Sequence, residues 1–114
     1  MPRYVILEHD HPALHWDFML EAGEVLRTWR LSAPPRVGAP IPAVASFDHR
    51  PSYLDYEGPV SGDRGRVVRW DGGTFQCESD APGRVTVQLH GARLQGRVVL
   101  EEIEGEAWLF SVGG

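Results

Sequence analysis

Apolar and polar residues alternate with a period of two along most of this chain, in runs too short for helices. The runs are RYVILE (3 to 8), HWDFMLE (15 to 21), VLRTWRL (25 to 31), AVASFD (43 to 48), GRVVRWD (65 to 71), TFQCES (74 to 79), RVTVQLH (84 to 90), GRVVLEEI (96 to 103) and AWLFSV (107 to 112). They are rich in β-branched and aromatic residues and are divided by Gly, Pro or Asp, the punctuation of strands and turns. This pattern predicts about nine strands and no long helix. DGG at 71 to 73 reads as a tight hairpin turn, and the Pro82-Gly83 step as another. Short strands with brief links predict an all-β domain: an antiparallel sandwich or, as we expect, a compact antiparallel β-barrel of eight or nine short strands, whose closure removes exposed edges.

Two segments break the meander. SAPPRVGAPIP (32 to 42) carries four prolines and is predicted to be an irregular loop. HRPSYLDYEGPVSGD (49 to 63) has room for one helical turn and is otherwise a long connection, the kind of segment that carries function on a rigid scaffold.

A length of 114 residues predicts a single domain, 1–114, with one modest core. The 42% hydrophobic and 24% charged fractions are those of a globular protein. No apolar run approaches the roughly 20 residues of a membrane span. MPRYVILEHD reaches charged residues before an apolar segment of signal-peptide length, so a cytoplasmic location is expected. Cys77 stands alone, which excludes an internal disulfide and a cysteine metal site. The net charge of −5 argues against indiscriminate tracking along nucleic acid. All eleven positive residues are arginine, however, the side chain best suited to bidentate contacts with phosphate.

The chemistry gathers in HDHPALHWDFML (9 to 20), which holds three of the five histidines. On a strand, alternation puts Trp16, Phe18 and Leu20 on a core face and His15, Asp17 and Met19 on the other, with His9 at the end of the preceding strand. Two imidazoles and a carboxylate form a common donor set for a divalent transition metal that keeps open positions. The alternative is a His15–Asp17 surface pair with His9 and His11 decorating a turn. Beside Pro12, His11 is expected to be solvated, and His90 to be structural. His49 opens the long connection with Tyr53 four residues on; an imidazole and a phenol so placed suit proton transfer and a hydrogen bond to a substrate oxyanion.

Four ordered motifs point further. YVILEHDHPALHWDFMLEAGEVLRTW, FDHRPSYLDYEG, WDGGTF and LHGARLQGRVVL resemble the 3′-phosphoesterase module of bacterial DNA ligase D, which also occurs as a stand-alone protein; the likeness runs from about residue 4 to 112. It implies a β-barrel that binds manganese and trims ribonucleotides or phosphate from the 3′ end of a primer strand in end-joining repair. Its partners would then be nucleic-acid 3′ ends and end-joining repair proteins, with no membrane. By resemblance the metal ligands fall on His9, His15 and Asp17, and the further active-site residues on His49 and Tyr53. Zinc and cobalt accept the same donors as manganese.

The departures are as specific. Family members carry an arginine two residues after the metal-binding aspartate, where this chain has Met19; a second arginine corresponds to Ile41, and a lysine falls near Ala33. Arg30, Arg50, Arg64 and Arg69 are therefore the candidate phosphate-binding residues, with Arg66 weighed beside them. Two outcomes compete: a manganese-dependent phosphoesterase acting on 3′ ends, or an altered member that binds a DNA end or a repair partner without turnover. A cupin-like metal enzyme for a small molecule is the third, opposed by the absence of His-x-His spacing.

Overall fold

A computed structural model describes residues 1–113 of the chain. Nine strands run β1 Arg3–His9, β2 His15–Ala22, β3 Val25–Leu31, β4 Ile41–His49, β5 Gly58–Pro59, β6 Arg66–Ala81, β7 Arg84–Gly91, β8 Gln95–Glu104 and β9 Ala107–Val112. The one helical element among the described residues is a 3-10 turn at Pro51–Asp55, inside the long connection. The sheet order is β1-β2-β3-β4-β9-β8-β7-β6, closed by pairing of β1 with β6, and β5 is added outside on β6. Every pairing is antiparallel. The expected all-β barrel is thus a closed eight-stranded barrel with one extra strand. No helix among the described residues is long and apolar enough to cross a membrane.

An eight-stranded barrel is just wide enough for its own side chains to fill. Tyr4, Ile6, Phe18, Trp29, Leu89 and Phe110 do so, with Phe18 edge-on to Phe110 at 5.2 Å between ring centres. Alternation sends the intervening residues outward, where a second cluster forms from Val5, Leu7, Met19, Leu26 and Val67. The 3-10 turn caps it with Leu54, because Arg69 Nη1 donates to the Leu54 carbonyl at 2.8 Å and Arg69 N–H to Glu57 at 2.9 Å. Both faces of β2 are consequently buried.

Of the two turns expected around β6, the structure has only one. Gly83 turns the β6–β7 hairpin with φ +79°. DGG is not a turn: the runs expected at 65–71 and 74–79 are one continuous strand. Asp71 is 3% exposed and accepts the amides of Ala92, Arg93 and Leu94 at 3.0 to 3.1 Å and the Tyr4 hydroxyl at 2.7 Å. The two glycines permit close approach instead of reversal, since a Cβ on Gly72 would meet the Arg69 guanidinium at 2.1 Å and one on Gly73 the His90 carbonyl at 2.1 Å. A bulge between Ile6 and Leu7 leaves Trp70 without a partner on β1. Burial and the Asp71 hydrogen bond together push the Tyr4 phenol far above its ordinary pKa.

Asp71 therefore ties β1 and β6 to the β7–β8 turn. Asp71→Ala strands three amides and a phenol in the interior and should lower unfolding free energy by about 3 kcal/mol or more, whereas Tyr4→Phe should cost about 1 kcal/mol. Urea denaturation of the two variants checks the ratio; equal losses would contradict this role.

Candidate metal centre and phosphate cleft

Register brings the histidine cluster together. His9 pairs directly with His15 and Leu7 with Asp17 across β1 and β2, so all three polar side chains emerge on the outer face beside the second cluster. His15 and Asp17 are 5% and 4% exposed. The site lies on the flank of the barrel, not at its mouth, because the interior is full.

Backbone carbonyls fix the tautomers. His15 Nδ1 lies 2.8 Å from the Ala13 carbonyl and His9 Nε2 lies 2.8 Å from the Arg64 carbonyl. A carbonyl only accepts, so those nitrogens carry the protons of the neutral rings. The lone-pair nitrogens, His15 Nε2 and His9 Nδ1, then face Asp17 Oδ2 at 3.2 and 3.7 Å. His15 Nε2 is within hydrogen-bond distance of Asp17 Oδ2, so either a proton on that nitrogen or a metal ion can bridge the two, and with His9 Nδ1 the group offers three ligand atoms to one cation. One ligand atom from each residue lies within 4.8 Å of the others. Donors about 2.1 Å from an ion sit at most about 4.2 Å apart and about 3.4 Å apart in a tetrahedron, so the three side chains would draw together around an ion. The donor set fits a divalent first-row metal, with outer carbonyls orienting each imidazole.

His49 reaches the same face through a bulge. Thr28 pairs with Ser46 but Leu26 pairs with His49, so β4 spends one residue more than β3. Without that residue, alternation would aim His49 inward. His49 Nδ1–H donates to the Phe47 carbonyl at 3.0 Å and lies 2.9 Å from the Thr28 hydroxyl, which itself donates to the Leu26 carbonyl at 3.0 Å. Its Nε2 is left as the lone-pair nitrogen. Burial lowers the His49 pKa, with Arg30 and His9 adding to the effect and Asp17 and the Phe47 carbonyl opposing it.

A cleft of about 640 Å³ opens over this face, bounded by β4, the 3-10 turn and the connection that follows. His9, Asp17, His49, Tyr53, Arg30, Arg50 and Arg64 all line it. His15 is tucked behind the wall, and Arg69 stands apart, engaged with Leu54. His11, expected in solvent, also borders the cleft. Arg30 lies directly across from Asp17 on β3, and its buried Nε has no hydrogen-bond partner. Arg64 is spent in part on Ser61, donating from Nε to the carbonyl at 2.7 Å. The positions where the family carries cations are absorbed into packing: Ile41 fills the barrel, Met19 the second cluster, and Ala33 packs against the core. Thr28 is the site residue that sequence reasoning missed. Its signal was parity with Leu26 and Arg30 in VLRTWRL, which puts a hydroxyl on the outer face.

Fold and site together define a β-barrel with a candidate metal triad beside a cation-lined cleft. Residues 7–102 match the model of the DNA ligase D 3′-phosphoesterase domain. The multifunctional non-homologous end joining DNA repair protein LigD of Mycobacterium tuberculosis is 37% identical over 115 residues, covering 93% of this chain and 15% of that protein. The LigD proteins of Mycolicibacterium smegmatis and Pseudomonas aeruginosa are each 31% identical, over 94% and 83% of this chain and 16% and 12% of their own lengths. The chain belongs to the DNA ligase D 3′-phosphoesterase domain family. It spans about 15% of the M. tuberculosis relative.

The tautomers are directly measurable. In the metal-free protein, long-range proton–nitrogen NMR spectra should show a proton on Nδ1 of His15 and of His49 and on Nε2 of His9. The His49 signal should titrate below the ordinary value near 6.5. Since the unfolded chain takes up that proton first, the His49 contribution to stability is lost as pH falls through and below about 6.5. A His49 pKa at or above the ordinary value would contradict the burial argument.

Proposed function

We propose that this chain is a divalent-metal-dependent phosphoesterase that processes 3′ ends of nucleic acid in end-joining DNA repair, with manganese as its metal. The observation that carries this reading is the convergence of three ligand atoms, two imidazole nitrogens and a carboxylate oxygen, beside a cleft lined by Arg30, Arg50 and Arg64. The names of the relatives, which place them in non-homologous end joining, support the biological setting.

His9, His15 and Asp17 would hold the metal, which when bound supplies Lewis-acid polarisation of a phosphoryl oxygen and a lowered pKa for bound water. The remaining work falls to the chain's own side chains. His49, with a free Nε2, takes a proton from the attacking water as the bond to phosphorus forms, and the departing ester oxygen is protonated from solvent in the cleft as its bond to phosphorus breaks. Thr28 and the Phe47 carbonyl fix the ring so that this nitrogen is the one available. Tyr53, edge-on to His49 at 5.6 Å, donates its hydroxyl to a phosphate oxygen. Arg30 takes the place of the arginine the family carries at Met19, reaching over Asp17 from the neighbouring strand. Arg50 and Arg64 extend the positive wall along the cleft, and Arg69 contributes by seating the 3-10 turn that carries Tyr53.

One observation favours a second reading. Met19, Ile41 and Ala33 stand where the family's cations stand, and each charged hydrogen bond to phosphate is worth roughly 1.5 to 3 kcal/mol. Losing all three without replacement would leave a module that binds a DNA end or a repair partner without turnover.

Titration calorimetry with Mn2+ should give one site, which His15→Ala weakens by more than the 10- to 100-fold typical of losing an outer partner. A primer ending in a 3′-ribonucleotide or 3′-phosphate should be trimmed only with metal present. Arg30→Ala should lower kcat/KM by about 10- to 100-fold, and Met19→Arg in that background should restore part of it. Metal binding without trimming would leave the binding-module reading standing.

A further inference from the structure

Four aromatic rings run in a row along the cleft. Phe47 lies parallel to His49, 4.6 Å between centres and 10° between planes, while Tyr53 meets His49 edge-on and Tyr56 meets Tyr53 edge-on at 5.9 Å. Tyr53 packs on the second cluster and the Tyr56 hydroxyl donates to the Pro59 carbonyl, so both rings are engaged. Phe47 is different. It lines the cleft but is 71% exposed, and neither hydrophobic cluster includes it. It sits in the bulge of β4, where its carbonyl alone is needed to hold His49; any residue would supply that carbonyl. One face of the ring is covered by the imidazole, and the other is open to solvent.

An open aromatic face beside a phosphate-binding wall is how sequence-tolerant sites hold unpaired bases: cations follow the backbone and rings take the bases. We propose that Phe47 is a stacking platform for an unpaired nucleobase at or next to the processed 3′ end, with Arg30 and Arg50 holding the adjoining phosphates. This inference rests on the nucleic-acid reading above and deepens it by naming the subsite for the base. The aromatic pile would then run base, Phe47, His49, so that seating the base also steadies the ring that handles the proton. Because every base has a π-face, the subsite distinguishes the presence of a base and not its identity. It favours frayed or single-stranded ends over bases held in a duplex.

The test uses a short single strand ending in 2-aminopurine, whose fluorescence reports stacking, and the same strand ending in an abasic residue, both titrated with the full chain and Mn2+. The wild type should perturb the 2-aminopurine signal and prefer the base-bearing end by about tenfold. Phe47→Ala should erase that preference, and Phe47→Trp should keep or raise it. Phe47→Leu separates stacking from plain apolar contact: it should behave as the alanine variant, and full retention by leucine overturns the proposal. Equal binding of both strands by the wild type overturns it as well. Failure of the wild type to bind either strand would sink the nucleic-acid reading itself, which keeps the two failures apart.

Discussion

The site depends on a buried carboxylate that faces the wrong side of two imidazoles. Asp17 is taken out of water on the outer face of β2, and the nearest ring nitrogens have given their protons' places to backbone carbonyls at Ala13 and Arg64. An isolated buried carboxylate is costly unless compensated. A ring nitrogen that turns its electron pair toward the carboxylate does not compensate it, whereas a proton on His15 Nε2, 3.2 Å away, would. A proton shared with His15 would relieve the clash in part, and a divalent ion would relieve all of it, so proton and metal compete for one position. Holding His9 in this tautomer requires the Arg64 carbonyl, and hence the connection between the 3-10 turn and β6. The long loop is thus part of the candidate metal centre as well as the wall of the cleft.

Why the centre lies outside the barrel follows from the strand count. With the interior filled by Phe18, Phe110 and their neighbours, the polar cluster of β1 and β2 is presented on the flank and buried there. The 3-10 turn makes that possible by covering Val5, Leu7, Met19 and Leu26 with Leu54, which shields the neighbouring polar residues as well. Arg69 fastens this lid from β6, and Gly72 leaves room for its guanidinium. Arg69, a candidate phosphate ligand, thus also holds the cover in place.

Much of this was legible from periodicity alone. The two faces of β2, with Trp16, Phe18 and Leu20 inward and His15, Asp17 and Met19 outward, came directly from alternation. What period two cannot show is a change of phase. The bulge that re-aims His49 adds one residue to β4 without altering the pattern of residue types, and the loss of pairing at Trp70 is equally silent. DGG misled for a related reason: Gly-Gly after an aspartate signals reversal locally, yet here the His90 backbone leaves no room for a side chain at Gly73 in an extended strand, and Gly72 makes space for the Arg69 guanidinium. Thr28 had the right parity, but a threonine in a strand is ordinary, and only the approach of β4 turns it into a partner for His49.

Charge presents the same lesson at a larger scale. A chain of net −5 is a poor match for polyphosphate taken as a whole. Along the cleft, however, three arginines line the wall against two aspartates, Asp17 and Asp48, and Asp17 belongs to the candidate metal triad. A divalent ion in the triad would make that surface strongly positive, while the acidic remainder would repel DNA elsewhere. Attraction would then be confined to one flank and conditional on metal. An acidic barrel with a small cationic cleft is suited to recognising the end of a strand, where phosphate, sugar and an unpaired base meet, and unsuited to following the length of a duplex.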